Sequence, residues 1–596
     1  MSVLNALEYG IVFHGCCRPS MKKILSGLSR DNVARLASLL TRAYCNRDAE
    51  NVIYMLSTSD KRREKLLRRV VDVEEQCANQ GIGLVVAFDI TPLEILRIAM
   101  SMNPESMKDV PEDETDRIQF DIVKLVMEVN EDLMRYKIDR RKDLTVANLM
   151  MINSASYNDI LKKQRVEDAY NYQVAQSFLF FKWIENTPKY HGVLNAFCER
   201  FGVESWKDYV RTVYGIALLG YKESTRILPK SIETDPPGLL NTSVIEKISI
   251  DVNKESFPYE AKDEFDKKGN SDFRHFKSRP LLKLSNGDYV VYNPKILIDR
   301  LYSSLYFDFM EINEQNDGKY PDVPGMFTES FVEKIMFSGY LKNCLSSGYY
   351  EAHEEDQLKK IYKIRDGEPG YPDYYLRRKD TNAAILFECK DIRLNSWVKG
   401  KRNFKVLETE LKNKLVEKTY KLDQENHCRK AVTPKRIGVG QIAAHVANIR
   451  NGVFPWDKTL PKDCTIYPVL VIADNRLIFE GLPRWVQQWY EKRLKIEGVE
   501  PQSSRPVIMM SPLTFLKYRQ LFQKNGFEYY FDAYYTSLRE AFYGRETLDV
   551  LNRMISFDSY MEQYPYYLDE LKQEILDTLY SKEQIEALQN KSAINS

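Results

Sequence analysis

Over the first 235 residues, apolar side chains recur at every third or fourth position, the spacing of helices that bury one face. Few stretches alternate apolar and polar residues as a half-buried strand does. We therefore predict an all-helical N-terminal region over 1–235. Its size and its lack of catalytic motifs suggest a regulatory or sensing role. The breaker cluster Thr234–Gly238 marks its end.

The pattern then changes to short alternating runs. Leu281–Leu284 and Tyr289–Tyr292 flank Ser285-Asn286-Gly287-Asp288, and Asn-Gly between apolar runs is a strong hairpin signal. This predicts a small α+β linker unit over 240–315 that contains a hairpin. The polar, turn-rich segment Gln315–Lys319 predicts the next boundary.

From 320 to 525 the pattern predicts the order helix, strand, strand, strand, helix, strand, helix, strand, helix. The clearest strands are short apolar runs typical of a buried sheet: Ala384–Phe387, Tyr467–Ile472 and Val507–Met510. Helical spacing returns over 526–596, which we predict to be a C-terminal helical region. The predicted fold class is therefore a multidomain α and α/β protein.

Composition agrees with several domains of a soluble protein. At 596 residues the chain exceeds one core, and about 150 residues per domain suggests three or four units. Lys plus Arg total 86 against 85 for Asp plus Glu, so any contact with a polyanion needs local basic patches. The nine cysteines form no C-x-x-C pair, and no apolar run approaches the ~20 residues that cross a bilayer. We expect a cytoplasmic protein without a membrane partner.

The strongest chemical signal is Pro372-Asp373, followed fifteen residues after the aspartate by Glu388 and then Cys389-Lys390. Because side chains alternate along a strand, Glu388 and Lys390 face one side while Cys389 faces the core. A short turn at Lys379–Asn382 makes the two strands antiparallel neighbours and brings Asp373 beside Glu388. Two carboxylates and one ammonium are therefore predicted to share a pocket.

This set of groups suits phosphodiester hydrolysis. Paired carboxylates are ligands for a hard cation such as Mg²⁺ or Mn²⁺, which keeps waters for a substrate phosphate, and the backbone carbonyl of Cys389 would add an oxygen. Lys390 would position or help deprotonate the attacking water and offset charge on the phosphate.

Pro372-Asp373 with Glu388-Cys389-Lys390 resembles the signature of the PD-(D/E)xK nucleases, the restriction-endonuclease-like group, over about residues 320–525. The resemblance implies a restriction-endonuclease-like α/β nuclease core that hydrolyses DNA with a divalent metal. It also implies an extra glutamate near the metal on the upstream helix. Glu329 and Glu333 share a face of that helix, and we favour Glu333. Gln441, at the start of a later helix, resembles the helix glutamine of several branches.

A basic segment follows the active-site strand. Residues 390–436 contain fourteen Lys or Arg against six Asp or Glu, which would give salt-dependent affinity for phosphates, although some of these charges would simply solvate a helix. The residues we select as nucleic-acid-binding candidates are Arg377, Arg378, Lys399, Lys401, Arg402 and Lys405.

The sequence predicts an endonuclease that acts on DNA, and resemblance suggests a role in prokaryotic restriction or anti-phage defence. An enzyme of the same fold in repair, recombination or transposition, an RNA nuclease, and a non-catalytic scaffold with a decayed nuclease fold are the alternatives. No phosphate-binding loop of the Walker type occurs, so a nucleotide-driven motor or a sensor would be a separate subunit. One site per chain makes a homodimer a simple way to cut two strands.

Overall fold

The computed structural model describes residues 3–43, 53, 60–79, 82–88, 90–134, 166–222, 227–229, 240–258, 273–320, 322–346, 348–365, 368–394, 398–399, 403–423, 428–474, 477–479, 481–544, 553–566 and 568–584. The chain forms two compact units. The first contains 1–139, 163–323 and 570–596, and the second contains 140–162 and 324–569. Among the described helices, none has both the length and the apolar character that a bilayer crossing requires.

Helices dominate the first unit. In chain order, α1 to α13 span Tyr9–Val12, Met21–Leu25, Arg30–Ala43, Asp60–Asn79, Thr91–Met100, Thr115–Met134, Val166–Glu185, His191–Phe201, Trp206–Lys222, Thr242–Lys247, Arg274–Ser278, Pro294–Asp299 and Leu305–Gln315. Strands β1 to β6 span Val3–Ala6, Ile82–Val85, Ile227–Leu228, Ser249–Asp251, Leu281–Lys283 and Tyr289–Val291.

The predicted hairpin in this unit is confirmed. Strands β5 and β6 pair antiparallel, and Gly287 in the turn has a φ of 87°, a left-handed conformation that glycine adopts without strain. The four-stranded sheet has the order β3-β6-β5-β4. The predicted boundary at Thr234–Gly238 lies outside the described residues, and the four-part division of the chain stays a prediction.

The expectation of an all-helical N-terminal region is wrong. Strands β1 and β2 pair in parallel, with Val3 opposite Ile82 and Ala6 opposite Val85, and β3 joins the second sheet. Each of these strands has four residues or fewer, too short to show the period of two on which the sequence argument depends.

The second unit is an α/β structure. Helices α14 to α23 span Met326–Gly339, Tyr340–Asn343, Glu355–Ile361, Phe404–Leu415, Val439–Asn451, Leu482–Ile496, Leu513–Lys517, Arg519–Asn525, Phe527–Tyr543 and Phe557–Met561. Strands β7 to β13 span Tyr350–Glu354, Tyr374–Arg378, Ala384–Lys390, Glu417–Asp423, Cys428–Arg436, Ile466–Ile472 and Ile508–Met510. A last helix, α24, spans Asp569–Leu579, of which 570–579 belong to the first unit.

A mixed five-stranded sheet, in the order β13-β12-β9-β8-β7, forms the centre of the second unit. Strands β7, β8 and β9 pair antiparallel in succession, whereas β12 runs parallel to both β9 and β13. All seven residues of β12 are buried, as a strand covered on both faces requires. The three buried strands predicted in this part of the chain, now β9, β12 and β13, are confirmed.

Two insertions depart from the predicted order of elements. Helix α16 lies between β7 and β8, and its N-terminus has a capping box formed by Glu354 and Gln357. Glutamate is not among the preferred N-cap residues, so this start was missed. Strands β10 and β11 lie between α17 and α18, and they form a separate two-stranded antiparallel sheet. Their lysine-rich sequence alternates apolar and polar residues only over Tyr420-Lys421-Leu422, which is too short to predict a strand.

Candidate active site

The β8–β9 hairpin positions the two motif acids. Its antiparallel register pairs Tyr374 with Phe387. The next positions on the two chains, Asp373 and Glu388, therefore lie opposite each other. The predicted antiparallel pairing is thus confirmed. Cys389 is fully buried, as the alternation along β9 predicts.

The three motif side chains meet at Lys390. Its Nζ atom lies 2.8 Å from Oε2 of Glu388 and 3.3 Å from Oδ2 of Asp373. The same Asp373 oxygen accepts a hydrogen bond of 2.6 Å from the backbone N–H of Cys389. Asp373 and Lys390 keep about a fifth of their side-chain surface exposed, at 20% and 22%, so solvent reaches the pocket on their side.

Glu388 has no exposed surface. Among the described residues, no donor forms a hydrogen bond with its Oε1 atom. A buried carboxylate oxygen without a donor is costly, so such an atom indicates a missing partner of positive charge or hydrogen-bonding capacity. Both acids contact Lys390, so the orphaned oxygen of Glu388 and the partly exposed Asp373 carboxylate belong to one cluster.

Helix α14 adds Glu333 to this pocket. The predicted helix over Phe327–Ile335 is confirmed, but it is a π-helix with i→i+5 hydrogen bonds, a form often found at functional sites. Burial raises the pKa of Glu333 to about 7, and the Asp373 carboxylate acts in the same direction. Glu329 is exposed but close enough for its charge to raise the pKa of Glu333 as well.

Glu355 is an acid of this site that the sequence analysis missed. It is the first residue of α16, and its backbone N–H donates to the carbonyl of Asp373 at 3.3 Å. Its charge contributes to raising the pKa of both Glu388 and Glu333. The sequence offered no clear signal for it, because the capping box that starts this helix begins with Glu354 and not with a preferred N-cap residue.

The pocket contains more acids than bases. Burial, and then the Asp373 carboxylate, raise the pKa of Glu388 well above the ordinary glutamate value. For Lys390, burial alone would lower the pKa, but Glu388 and Asp373 outweigh it and raise the pKa, which keeps the ammonium charged. Asp373, Glu388 and Glu333 share this one ammonium, whereas Glu355 pairs with Lys359 at 3.1 Å. A bound cation would favour the charged forms of Glu388 and Glu333.

The donors present fit a hard divalent cation that keeps much of its own water. Among the described residues, no cluster of three or more His, Cys, Asp or Glu side chains has the arrangement of a complete metal site. Mg²⁺ is commonly held by one or two carboxylates plus substrate phosphate, which Asp373 and the orphaned Glu388 oxygen can supply. The Cys389 carbonyl, the third predicted ligand, accepts a hydrogen bond of 2.9 Å from Lys390.

Gln441 holds the backbone that leads into the motif. It lies near the start of α18, and its Nε2 donates a 2.6 Å hydrogen bond to the carbonyl of Tyr371, two residues before Asp373. A side chain at Gly370 would meet this amide at 3.0 Å, so the glycine permits the close approach. Gln441 is therefore placed to fix the position of Asp373.

The basic candidates are divided between different places. Arg377 and Arg378 lie at the opposite end of β8 from Asp373. Arg377 bonds both carboxylate oxygens of Asp457 at 3.0 Å, and Arg378 bonds Asp380 at 2.8 Å and Glu528 at 3.3 Å. The structure does not bring these two arginines to the pocket.

The other basic candidates come from the segment after β9. Lys405 is exposed on the first turn of α17, and Lys399 is half-buried. Lys401 and Arg402 lie outside the described residues.

Comparisons with known proteins found no matching family model, no matching curated protein and no matching solved structure. The functional argument therefore rests on the geometry of the pocket and on the resemblance of the sequence motif.

Proposed function

We propose that this protein is a metal-dependent nuclease that hydrolyses phosphodiester bonds in DNA at the Asp373–Glu388–Lys390 pocket. The observation that carries the proposal is the convergence on Lys390 Nζ of a buried glutamate at 2.8 Å and a partly exposed aspartate at 3.3 Å. Both acids come from adjacent strands of one hairpin.

The order of elements around the pocket supports a PD-(D/E)xK-like core. Helix α14 precedes three antiparallel strands, β7 to β9, and α18 then leads to β12, which runs parallel to the motif strand β9. This agrees with the order of a helix and then a further strand that the resemblance implies. Helix α18 also carries Gln441 to the motif, where the helix glutamine of the resemblance belongs.

Asp373 and Glu388 would hold Mg²⁺ or Mn²⁺, and Glu333 would adjust the charge at a second ion. When bound, the metal supplies Lewis-acid activation of water and of the scissile phosphate. Lys390 donates hydrogen bonds from its charged ammonium, which orients the attacking water and stabilises negative charge on the phosphate. Gln441 keeps the Tyr371–Asp373 segment in position.

By resemblance, the enzyme would act in restriction or anti-phage defence in the cytoplasm of a prokaryote, with the N-terminal region over 1–235 as a regulatory or sensing part. We also propose that the enzyme works with a separate sensor or NTPase subunit and that it forms a homodimer. Both proposals rest on the resemblance and not on a contact in the structure.

The test is cleavage of supercoiled plasmid DNA by the purified chain with Mg²⁺ or Mn²⁺. The wild type should nick or linearise the plasmid, and Asp373→Ala and Lys390→Ala should each lower the rate at least about 100-fold. Matched controls come from the turn of the same hairpin: Asp380→Ala and Lys379→Ala, both exposed and remote from the pocket. Metal-supported cleavage that survives both pocket substitutions would remove the proposed mechanism, and DNA binding without any cleavage would favour a scaffold.

A further inference from the structure

Strands β10 and β11 form an exposed, cationic ribbon whose role the hydrolytic pocket does not explain. We call these two strands, 417–423 and 428–436, the basic ribbon. They contain two acids and six cationic residues, which are Lys418, Lys421, Arg429, Lys430, Lys435 and Arg436. Lys421, Arg429, Lys430 and Lys435 are exposed.

The register of the basic ribbon places like charges directly opposite each other. Lys418 pairs with Lys435, and Lys421 pairs with Lys430. Directly opposite residues of an antiparallel pair lie on the same face about 5 Å apart. The two facing pairs therefore concentrate positive charge along the ribbon.

The inner face of the basic ribbon is fixed to the second unit. The Tyr420 hydroxyl donates to Glu410 at 2.6 Å, and the Asn413 side chain bonds the backbone N–H and carbonyl of Tyr420 at 3.0 and 3.1 Å. Because side chains alternate along a strand, Lys421 projects from the face opposite Tyr420. Anchoring of the inner face thus presents the Lys421–Lys430 pair outward.

The base of the basic ribbon is also fastened. Arg436 donates to Glu497 at 2.9 and 3.3 Å, and Arg493 donates to Glu417 at 3.1 Å. These contacts hold both ends of the ribbon's base against α19.

The base of the basic ribbon leads directly to the candidate active site. The N–H of Ile437 donates to the carbonyl of Val416 at 3.0 Å, and a side chain at Gly440 would lie 2.1 Å from that same carbonyl. Only glycine permits so close an approach between the ribbon's base and the start of α18. The next residue, Gln441, bonds Tyr371 beside the motif. The base of the ribbon is therefore connected, through the start of α18 and Gln441, to the segment that leads into Asp373.

We propose that the outer face of the basic ribbon binds double-stranded DNA, with Lys421 and Lys430 contacting backbone phosphates. The choice of DNA rests on the proposed function, and the shape of the ribbon supports it. The major groove of B-form DNA is about 12 Å wide and admits a two-stranded ribbon, whereas the major groove of A-form RNA is too narrow. Lys421 and Lys430 are exposed and directly opposite each other, so together they present two positive charges to the phosphates.

The test measures DNA affinity without metal, so that it does not depend on cleavage. Fluorescence anisotropy with a labelled 30-base-pair duplex in EDTA would compare the wild type with Lys421→Gln/Lys430→Gln at several salt concentrations. We expect the double variant to bind at least about tenfold more weakly at low salt. We also expect the slope of log affinity against log salt to fall by about 1 to 2, since each lost phosphate contact removes about 0.9.

The matched control is Lys458→Gln/Lys524→Gln, two exposed lysines outside the basic ribbon. It should keep the affinity and salt slope of the wild type. The ribbon variant should melt at the wild-type temperature, because both lysines are exposed, so a loss of affinity would not reflect unfolding.

The proposal is overturned if the ribbon and control variants bind alike, or if duplex RNA binds as tightly as DNA with the same dependence on Lys421 and Lys430. Asp373→Ala should bind DNA normally in EDTA. A chain that binds through the ribbon but never cleaves would refute the nuclease proposal and leave the ribbon proposal standing.

Discussion

The ammonium of Lys390 lies 2.8 Å from Oε2 of Glu388, and this glutamate has no surface in contact with solvent. Lys390 is thus the nearest positive charge to a carboxylate that water cannot reach. Removing one partner of a buried ion pair leaves the other charge buried without compensation, whereas replacing both partners leaves no buried charge. The contribution of the pair to the free energy of unfolding can therefore be measured separately from its contribution to catalysis.

We predict that Lys390→Met destabilises the protein by about 3 kcal/mol, the lower end of the range for a broken buried pair, because Lys390 is partly exposed. Adding Glu388→Gln should recover part of this loss, while neither the single nor the double variant should cleave DNA. Denaturant unfolding of the four proteins would give the coupling between the two residues. Strictly additive effects would contradict a direct interaction.

Gln441→Ala should lower the rate of cleavage clearly while lowering the free energy of unfolding only slightly. The lost hydrogen bond to the Tyr371 carbonyl costs about 1 kcal/mol in unfolding, but it also frees the segment that positions Asp373. We expect a fall in kcat of about tenfold with little change in DNA affinity. Asn448→Ala, on the same helix, is the control. Equal rates for the two variants would exclude a positioning role for Gln441.

Arg377→Ala should affect stability and not DNA binding. The guanidinium bonds Asp457 and also Asn382, and Asp457 accepts a hydrogen bond from the Tyr375 hydroxyl at 2.8 Å. Its removal leaves a partly buried carboxylate without its cation, so the melting temperature should fall. DNA titrations at two salt concentrations should give the wild-type affinity and slope. If Arg377→Ala bound DNA more weakly and with a smaller salt dependence, Arg377 would be a DNA-binding residue.

Acid sensitivity should arise in part from His445. Burial lowers its pKa to about 3, and its ring packs against Trp456 at 5.4 Å between centroids. The unfolded chain binds this proton below about pH 6.5 but the folded chain does not, so stability falls as the pH drops from about 6.5 towards 3. The slope for one such group approaches about 1.4 kcal/mol per pH unit.

His445→Leu should therefore flatten the decline of the unfolding midpoint between pH 7 and pH 5. The exposed His14 provides the comparison, and His14→Gln should leave the decline unchanged. Parallel pH profiles for the wild type and His445→Leu would show that another group controls acid unfolding.

Features with a strong local cause were predictable from the sequence. The Asn286-Gly287 turn and the apolar runs of β9 and β12 specify their elements locally, and a short turn between Asp373 and Glu388 was enough to predict their pairing. The π-helical form of α14 was not predictable, because apolar spacing indicates a helix without fixing which hydrogen bonds close its turns.

Contacts between residues that are far apart in the sequence could not be predicted, because no local pattern indicates them. Arg378 is neutralised by Glu528, 150 positions away in the chain, and Arg377 by Asp457, 80 positions away. A count of nearby charges in the sequence does not reveal these distant acidic partners. Glu355 reaches the pocket because a helix enters between β7 and β8, and the parallel pairing of β1 with β2 joins segments 79 residues apart.

The most direct test of the central claim is a titration with Mn²⁺ followed by the electron paramagnetic resonance signal of the free ion. The pocket account predicts that the wild type depletes this signal saturably, and that Asp373→Asn and Glu388→Gln each weaken binding by at least about tenfold, with Asp380→Asn unchanged. If all four proteins give the same isotherm, or if the wild type binds no ion, then Asp373 and Glu388 do not form a metal site.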